Sequence, residues 1–146
     1  MELRIFSALL ESIFLYNCEL WTLTKKLEQK IDTFQRQLLR RILNIRWTLN
    51  NWISNKQLLG ITNQKPWSET IAKRRMRLFG HICRSSNNTP LKKALNEALR
   101  KCKKPRGGQK LTLIKIIENQ LKTKKLSFSE ALILSQDRKA WRILMC

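Results

Sequence analysis

The stretch 24–47, TKKLEQKIDTFQRQLLRRILNIRW, decides how this chain is read. Leu27, Ile31, Phe34, Leu38, Ile42 and Ile45 follow one another at steps of four, three, four, four and three, which draws one apolar stripe down a helix. Lys26, Lys30, Arg36, Arg40, Arg41 and Arg46 fill much of the remaining surface. One side of this rod is expected to be core, with Phe34 at its centre, and the other to face something negative. Thr24 is the expected N-cap; Glu28 and Asp32 sit toward the positive end of the helix dipole and the arginines toward the negative end.

Working outward, 146 residues correspond to about one domain, and 42% apolar content supplies a modest core. The charge says more. Thirty Lys and Arg against ten Asp and Glu give a net +20. A polyanion with densely spaced phosphates both needs and screens so many cations, whereas a purely solvated face normally mixes both signs. The placement is uneven: residues 1–23 hold one cation, Arg4, against Glu2, Glu11 and Glu19, so the basic character lies downstream. Cysteines 18, 83, 102 and 146 are scattered without a CxxC pair, as in a reduced intracellular protein, nuclear or cytoplasmic. His81 and Cys83 form an H-x-C, but there is no second pair at zinc-finger spacing, and residues two apart on a helix diverge. No metal and no cofactor is expected.

Residues 1–21, MELRIFSALLESIFLYNCELW, have an acidic start, an interrupting Glu11 and no small-residue cleavage site, which argues against an export signal, and the segment is too short and charged to span a bilayer. A buried helix is expected over 1–23, with Ile5, Leu9, Ile13 and Tyr16 on one side and Leu10, Phe14 and Leu15 widening that face. A basic helical core, 24–100, follows. Within it, turn and cap residues fill 48–66, with a short helix from about Ser54 to Leu59, and Trp47, Trp52 and Trp67 bracket the connection. Such rings plug junctions between helices more often than they stack on bases. Ser68 is expected to cap a second basic helix, SETIAKRRMRLFGHICR. Ile71, Met76, Leu78, Phe79 and Ile82 would be its buried positions, and Lys73, Arg74, Arg75, Arg77 and Arg84 would crowd the rest. Pro90 opens a further helix whose inward residues are expected to be Leu91, Ala94, Leu95, Ala98 and Leu99.

The segment 101–110, KCKKPRGGQK, is expected to be an exposed basic loop able to bring amides and side chains near phosphates. It is not a P-loop, since it lacks both the GxxxxGK[ST] spacing and a preceding strand. A C-terminal helical pair over 111–146 completes the chain: Thr112 to Leu121 with Ile114, Ile117 and Leu121 inward, then a helix from about Ser127 carrying Leu132, Leu134, Trp141 and Leu144. With no alternating pattern and no internal repeat, the expected class is all-α, an irregular bundle of about six or seven helices joined by short loops, in one compact domain.

Ten thinly spread acids place no two carboxylates where a shared metal or an acid–base pair is suggested, and the single His has no Cys nucleophile and Asp orienter in a recognisable arrangement. The chain alone is not expected to be an enzyme. The basic helices and the loop nominate Lys25, Lys26, Lys30, Arg40, Arg41, Lys73, Arg74, Arg75, Arg77, Lys103, Lys104 and Arg106 as phosphate contacts. RNA or DNA would be the partner, held with weak sequence preference, and no membrane is implied.

Several separated motifs carry a family resemblance. The segments LRIFSALLESIFLYNCELWTLTKKLEQKIDTFQRQLLRRILNIRW, ISNKQLLGIT, RRMRLFGHICR, PRGGQKLT and QDRKAW occur in the order seen at the C-terminal end of LINE-type, non-LTR retrotransposon reverse transcriptases. The chain resembles that thumb and post-thumb region over nearly its whole length. The pattern LLYGCExWTLTKK is matched at Leu15, Tyr16, Cys18, Glu19, Trp21, Thr22, Leu23, Thr24, Lys25 and Lys26; the family's Gly is Asn17 here, and Leu113 stands where an aromatic residue commonly follows the basic loop. The full-length family is an RNA-directed DNA polymerase whose endonuclease and acidic palm lie upstream of this region. The resemblance therefore implies a copy truncated before the palm, able to grip a nucleic acid without copying it. A non-functional remnant and a fragment of a larger polymerase are the alternatives.

Overall fold

The computed structural model describes residues 2–45, 53–100, 107 and 111–145. Among them every regular element is helical and none is a strand. An initial helical stretch consists of α1 (Glu2–Ile5), a π-helical turn (Phe6–Glu11) and α2 (Ser12–Phe14), followed by a 3-10 turn at Cys18–Leu20. Then come α3 (Lys25–Ile42), α4 (Asn55–Thr62), α5 (Trp67–Arg84), α6 (Pro90–Leu99), α7 (Leu113–Thr123), α8 (Phe128–Leu134) and α9 (Arg138–Met145). Counting the initial stretch once, the described residues form eight helices instead of six or seven. The final helix expected from Ser127 is in fact two, because the Asp137 carboxylate accepts the N–H groups of Lys139 at 2.8 Å and Ala140 at 3.3 Å and so begins α9 afresh.

The chain forms two compact units, one of Met1–Cys18 with Leu23–Ile71, the other of Glu19–Thr22 with Ala72–Cys146. In the first, Thr24 caps α3 by accepting from the Leu27 N–H. The helix stops at Ile42 and not near Trp47 because Asn44 turns left-handed, φ 50°. The Asn44 and Ile45 N–H groups then close back onto the carbonyls of Arg41 and Arg40, at 3.1 and 2.9 Å. Asn63 (φ 51°) ends α4 in the same way, and Ser54 with Gln57 opens that helix in a capping box.

The buried line of α3 differs from the apolar stripe. Gln35 and Leu39 are fully buried, Ile31, Leu38 and Ile42 are half-buried, and Leu27 and Phe34 are exposed. The reason lies in the start of α5. Gln35 donates from Nε2 to the Lys65 carbonyl (2.8 Å) and accepts the Trp67 N–H at Oε1 (3.0 Å). Asp32 accepts both the N–H (2.9 Å) and the hydroxyl (2.7 Å) of Ser68. Ser68 is thus not the cap of α5 but a residue of its first turn, and α3 turns two polar side chains inward to receive N–H groups that have no acceptor within α5.

Trp67, completely buried, stacks on Phe6 (ring centroids 5.9 Å, interplanar 8°) and on Phe14 (4.6 Å, 23°). This is the junction-plugging role expected of it; Trp47 and Trp52 lie outside the described residues. The same stack corrects the reading of the initial segment. Phe6, Leu15 and Cys18 are buried, whereas Ile5, Leu9, Leu10, Ile13 (73% exposed) and Tyr16 are open to solvent. The π-helical turn re-phases the side chains after Ile5, so that Phe6 and Phe14 both meet Trp67 and the stripe drawn for a regular α-helix is left uncovered.

In the second unit, α5 contributes Met76, Phe79, Ile82 and Cys83 to a core shared with Leu95 of α6, Ile117 and Leu121 of α7, Ala131 of α8, and Trp141 and Met145 of α9. Helix α6 buries less than its sequence suggests: Leu95 is covered, while Leu91, Ala94, Ala98 and Leu99 are exposed. Its packed side carries Lys92, three residues before Leu95, whose ammonium donates to the Cys83 carbonyl (2.8 Å) at the end of α5. Thr112 caps α7, which buries Ile116, Ile117 and Leu121 and leaves Ile114 half-buried. Ser127 and Glu130 form a capping box at α8, and the two hydrogen bonds from Ser127 hold the Glu130 carboxyl below its usual range.

One contact joins the motifs RRMRLFGHICR and QDRKAW. The Trp141 indole N–H donates to the Met76 carbonyl at 3.0 Å, and the ring lies against Gly80. A Cβ added at Gly80 would stand 2.6 Å from Cδ1 of Trp141 and closer still to Nε1. Only hydrogen at position 80 admits the indole in this place.

Candidate nucleic-acid interface

Helices α5 and α9 enclose a groove of about 590 Å³ within the second unit. Lys73, Arg77, His81 and Arg84 line it from α5, and Arg138, Trp141, Arg142 and Met145 from α9. Lys73, Arg77 and His81 recur every fourth residue, so they rise along one face in steps of about 6 Å. Arg138 and Arg142 repeat that spacing on α9. Trp141 and Met145 are buried and supply an apolar floor, while Arg77, His81, Arg138 and Arg142 are exposed at the rim. No carboxylate lines the groove among the described residues. Five permanent cations therefore face one volume, repelling one another in the free protein and complementary to a multiply charged anion.

Arg84 is also held in place by the fold, donating from Nη1 to the Ser135 carbonyl at 2.7 Å where α8 ends. The Asp137 carboxylate beside Arg138 is occupied with the backbone of α9. His81 and Cys83 are separated: the imidazole is exposed at the groove, whereas the thiol is buried and burial pushes its pKa above the ordinary 9.0. Among the described residues no three His, Cys, Asp or Glu side chains come together.

The twelve nominated phosphate contacts fare unequally. Lys25, Lys26, Lys30 and Arg41 are exposed on α3, and Lys73 and Arg77 meet in the groove. Arg74 is half-buried on α5. Arg75 is 1% exposed, and its guanidinium donates to the Trp21 carbonyl at 2.9 Å, so it serves the interior of the second unit and not its surface. Arg40 is drawn inward as well. It donates to the Ile53 carbonyl (2.8 Å) and to Oδ1 of Asn55 (3.2 Å), fixing the approach to α4. Lys103, Lys104 and Arg106 lie outside the described residues.

His81, Arg84, Arg138 and Arg142 also belong to the groove, beyond the phosphate contacts the sequence suggests. The four-residue recurrence 73, 77, 81 and the pair 138, 142 flanking Trp141 were visible, but nothing in a linear pattern says that these two helices are neighbours. A second, shallower recess of about 360 Å³ lies on α3 in the first unit, bordered by Lys26, Gln29, Lys30, Thr33, Phe34 and Gln37. No helix of the described residues is long and apolar enough to cross a membrane. Comparison with protein-family models, with curated proteins and with solved structures finds no match to this chain.

Proposed function

We propose that the chain is a non-catalytic nucleic-acid-binding helical domain, derived from the thumb and post-thumb region of a non-LTR retrotransposon reverse transcriptase, acting inside the cell in the nucleus or cytoplasm. The observation that carries the binding is the α5/α9 groove, where five cations and an imidazole converge with no carboxylate among the lining residues. Phosphate oxygens suit guanidinium forks and ammonium points alike, and contacts of this kind position a strand without reading its bases. Two further features are consistent with the ancestry. The motifs RRMRLFGHICR and QDRKAW meet through Gly80 and Trp141. Asn17, at the family's glycine, adopts the left-handed conformation (φ 51°) that glycine and asparagine tolerate best.

The test is anisotropy with a labelled RNA and with an RNA–DNA duplex across a salt series. Neutralising about six phosphates gives a slope of log affinity against log salt of roughly −4 to −5. Replacing Lys73, Arg77 and Arg142 together by Ala should reduce its magnitude by about 2 to 3. A slope near zero for the wild type would refute the reading.

A second reading, that the chain is part of a larger RNA-directed DNA polymerase with its palm upstream, is favoured by the exposed apolar residues Ile5, Leu9, Ile13 and Tyr16. Such a surface suits cover by another domain. Sequence upstream of Met1 that continues in frame into a palm with paired aspartates would establish it.

A further inference from the structure

The groove accounts for phosphates and leaves Phe34 unexplained. This ring is 43% exposed on α3, and it borders the 360 Å³ recess with Lys30 one turn and Lys26 two turns before it. Its inner side is firmly backed. Phe34 packs on Phe14 at 5.5 Å and on Trp67 at 6.2 Å, and Trp67 stacks in turn on Phe6, so four aromatic rings run from the buried interior of the first unit to its surface.

We propose that Phe34 is a stacking platform for one unpaired base, with Lys26 and Lys30 on the adjoining phosphates, and that this site makes the chain prefer single-stranded over duplex nucleic acid. The inference rests on the nucleic-acid reading above and adds the class of strand.

Three features of the recess carry it. It is bordered by a part-exposed aromatic ring whose position is set by the rings behind it, so a stacked base costs little ordering of the protein. The charges at its edge are cationic, with no carboxylate among the described lining residues, and the nearby Asp32 is committed to Ser68. The rest of the border is uncharged: the amides of Gln29 and Gln37, which match base edges, and Thr33, whose hydroxyl donates to the Gln29 carbonyl (2.8 Å) and accepts from Arg36 (3.0 Å). A shallow recess on one helix reaches a base face only when that base is unstacked. In a duplex both faces are already covered by neighbouring pairs, so only the phosphates remain for Lys26 and Lys30.

The experiment uses the full chain and two probes at one salt concentration, an unstructured oligouridylate of about 12 nucleotides and a hairpin duplex of matched charge. The wild type should bind the single strand more tightly. Phe34→Leu, which keeps an apolar residue against Phe14 but removes the ring, should weaken the single strand about 5- to 100-fold and leave the duplex unchanged, and Phe34→Tyr should behave as wild type. Crosslinking of wild-type protein by an oligonucleotide carrying 5-iodouracil should label the tryptic peptide 31–36, a readout that does not depend on any variant folding. Equal binding of both probes, an indifferent Phe34→Leu, or crosslinks found only in other peptides would overturn this inference while leaving the groove intact. Failure of the wild type to bind either probe would overturn the nucleic-acid reading itself.

Discussion

Gly80→Ala should destabilise the second unit, and the same substitution at Gly60 should stabilise the first. The new methyl at position 80 would stand 2.6 Å from Cδ1 and 3.1 Å from Cε2 of Trp141, inside the 3.4–4 Å of ordinary contact. Trp141 is buried, packs on Phe79 at 5.8 Å between ring centroids and donates its N–H to Met76, so a retreat from the new methyl gives up that packing and that hydrogen bond. Overpacking of this kind costs about 1–3 kcal/mol. Pulling the indole N–H off its carbonyl in a buried place adds about 1–3 kcal/mol. Alanine's better helix propensity returns about 1 kcal/mol. The net is a loss of about 1 to 5 kcal/mol, with a centre near 3. At Gly60, exposed in α4, an added Cβ meets nothing within 4 Å, and the propensity term acts alone, a gain of about 0.5–1 kcal/mol. Urea denaturation followed by circular dichroism and tryptophan fluorescence reads both. With a slope near 2 kcal/mol per molar, the midpoint should fall by about 1.5 M for Gly80→Ala and rise by about 0.3–0.5 M for Gly60→Ala. A Gly80→Ala midpoint at or above that of the wild type would mean that Trp141 moves freely, and the contact between α5 and α9 that shapes the groove would have to be abandoned.

Arg75→Ala should cost about 2–4 kcal/mol through lost packing and the lost hydrogen bond to the Trp21 carbonyl, yet leave the salt slope of polyanion binding unchanged, whereas Arg77→Ala should lower that slope by about 0.7–0.9 with little effect on the melting temperature; a smaller slope for Arg75→Ala as well would contradict its burial. Because burial raises the Cys83 pKa above 9.0, the folded chain keeps this proton more tightly than the unfolded one. The thiol's contribution is therefore complete below about pH 9 and is lost as pH rises toward the folded pKa, and the alkaline fall in melting temperature should be smaller in Cys83→Ala.

Local signals were legible because they depend on residues a few positions apart. Thr24 caps α3 as expected, the helices expected to start at about Ser54, Thr112 and Ser127 each take that residue as cap, and Pro90 opens α6, whereas the cap expected at Ser68 falls inside α5. The helical class followed from the absence of alternation. What periodicity misjudged was which face meets which neighbour. Periodicity places Phe34 at the centre of the buried stripe, but the inward face of α3 is fixed by the need of Trp67 and Ser68 for acceptors, a need that arises some 30 residues later in the chain. Neither Gln35 nor Asp32 carries a mark of this in its own surroundings. The groove was half legible for the same reason: each helix advertises its cations, and only tertiary packing decides that Arg138 and Arg142 stand across from Lys73 and Arg77.

A net charge of +20 is by itself an argument about partners, and among the described residues two groups of cations stand apart. One is internal. Arg40 serves the Ile53 carbonyl, Arg75 that of Trp21, Arg84 that of Ser135, Lys92 that of Cys83 and Lys124 that of Leu144. Three of these, at the ends of α8, α5 and α9, place a cation where helix carbonyls lack partners and the dipole is negative, so they would stabilise the fold with no ligand present. The other population has no such duty in the groove: Lys73, Arg77, Arg138 and Arg142 repeat at helical spacing around a volume that no carboxylate enters from the described residues. Crowding them there costs the free protein repulsion that folding does nothing to relieve. The two sets should therefore separate in one comparison of alanine variants. Removing an internal cation should lower the melting temperature with or without polyanion, and removing a groove cation should leave or raise it in the free protein and diminish the stabilisation that a bound polyanion confers.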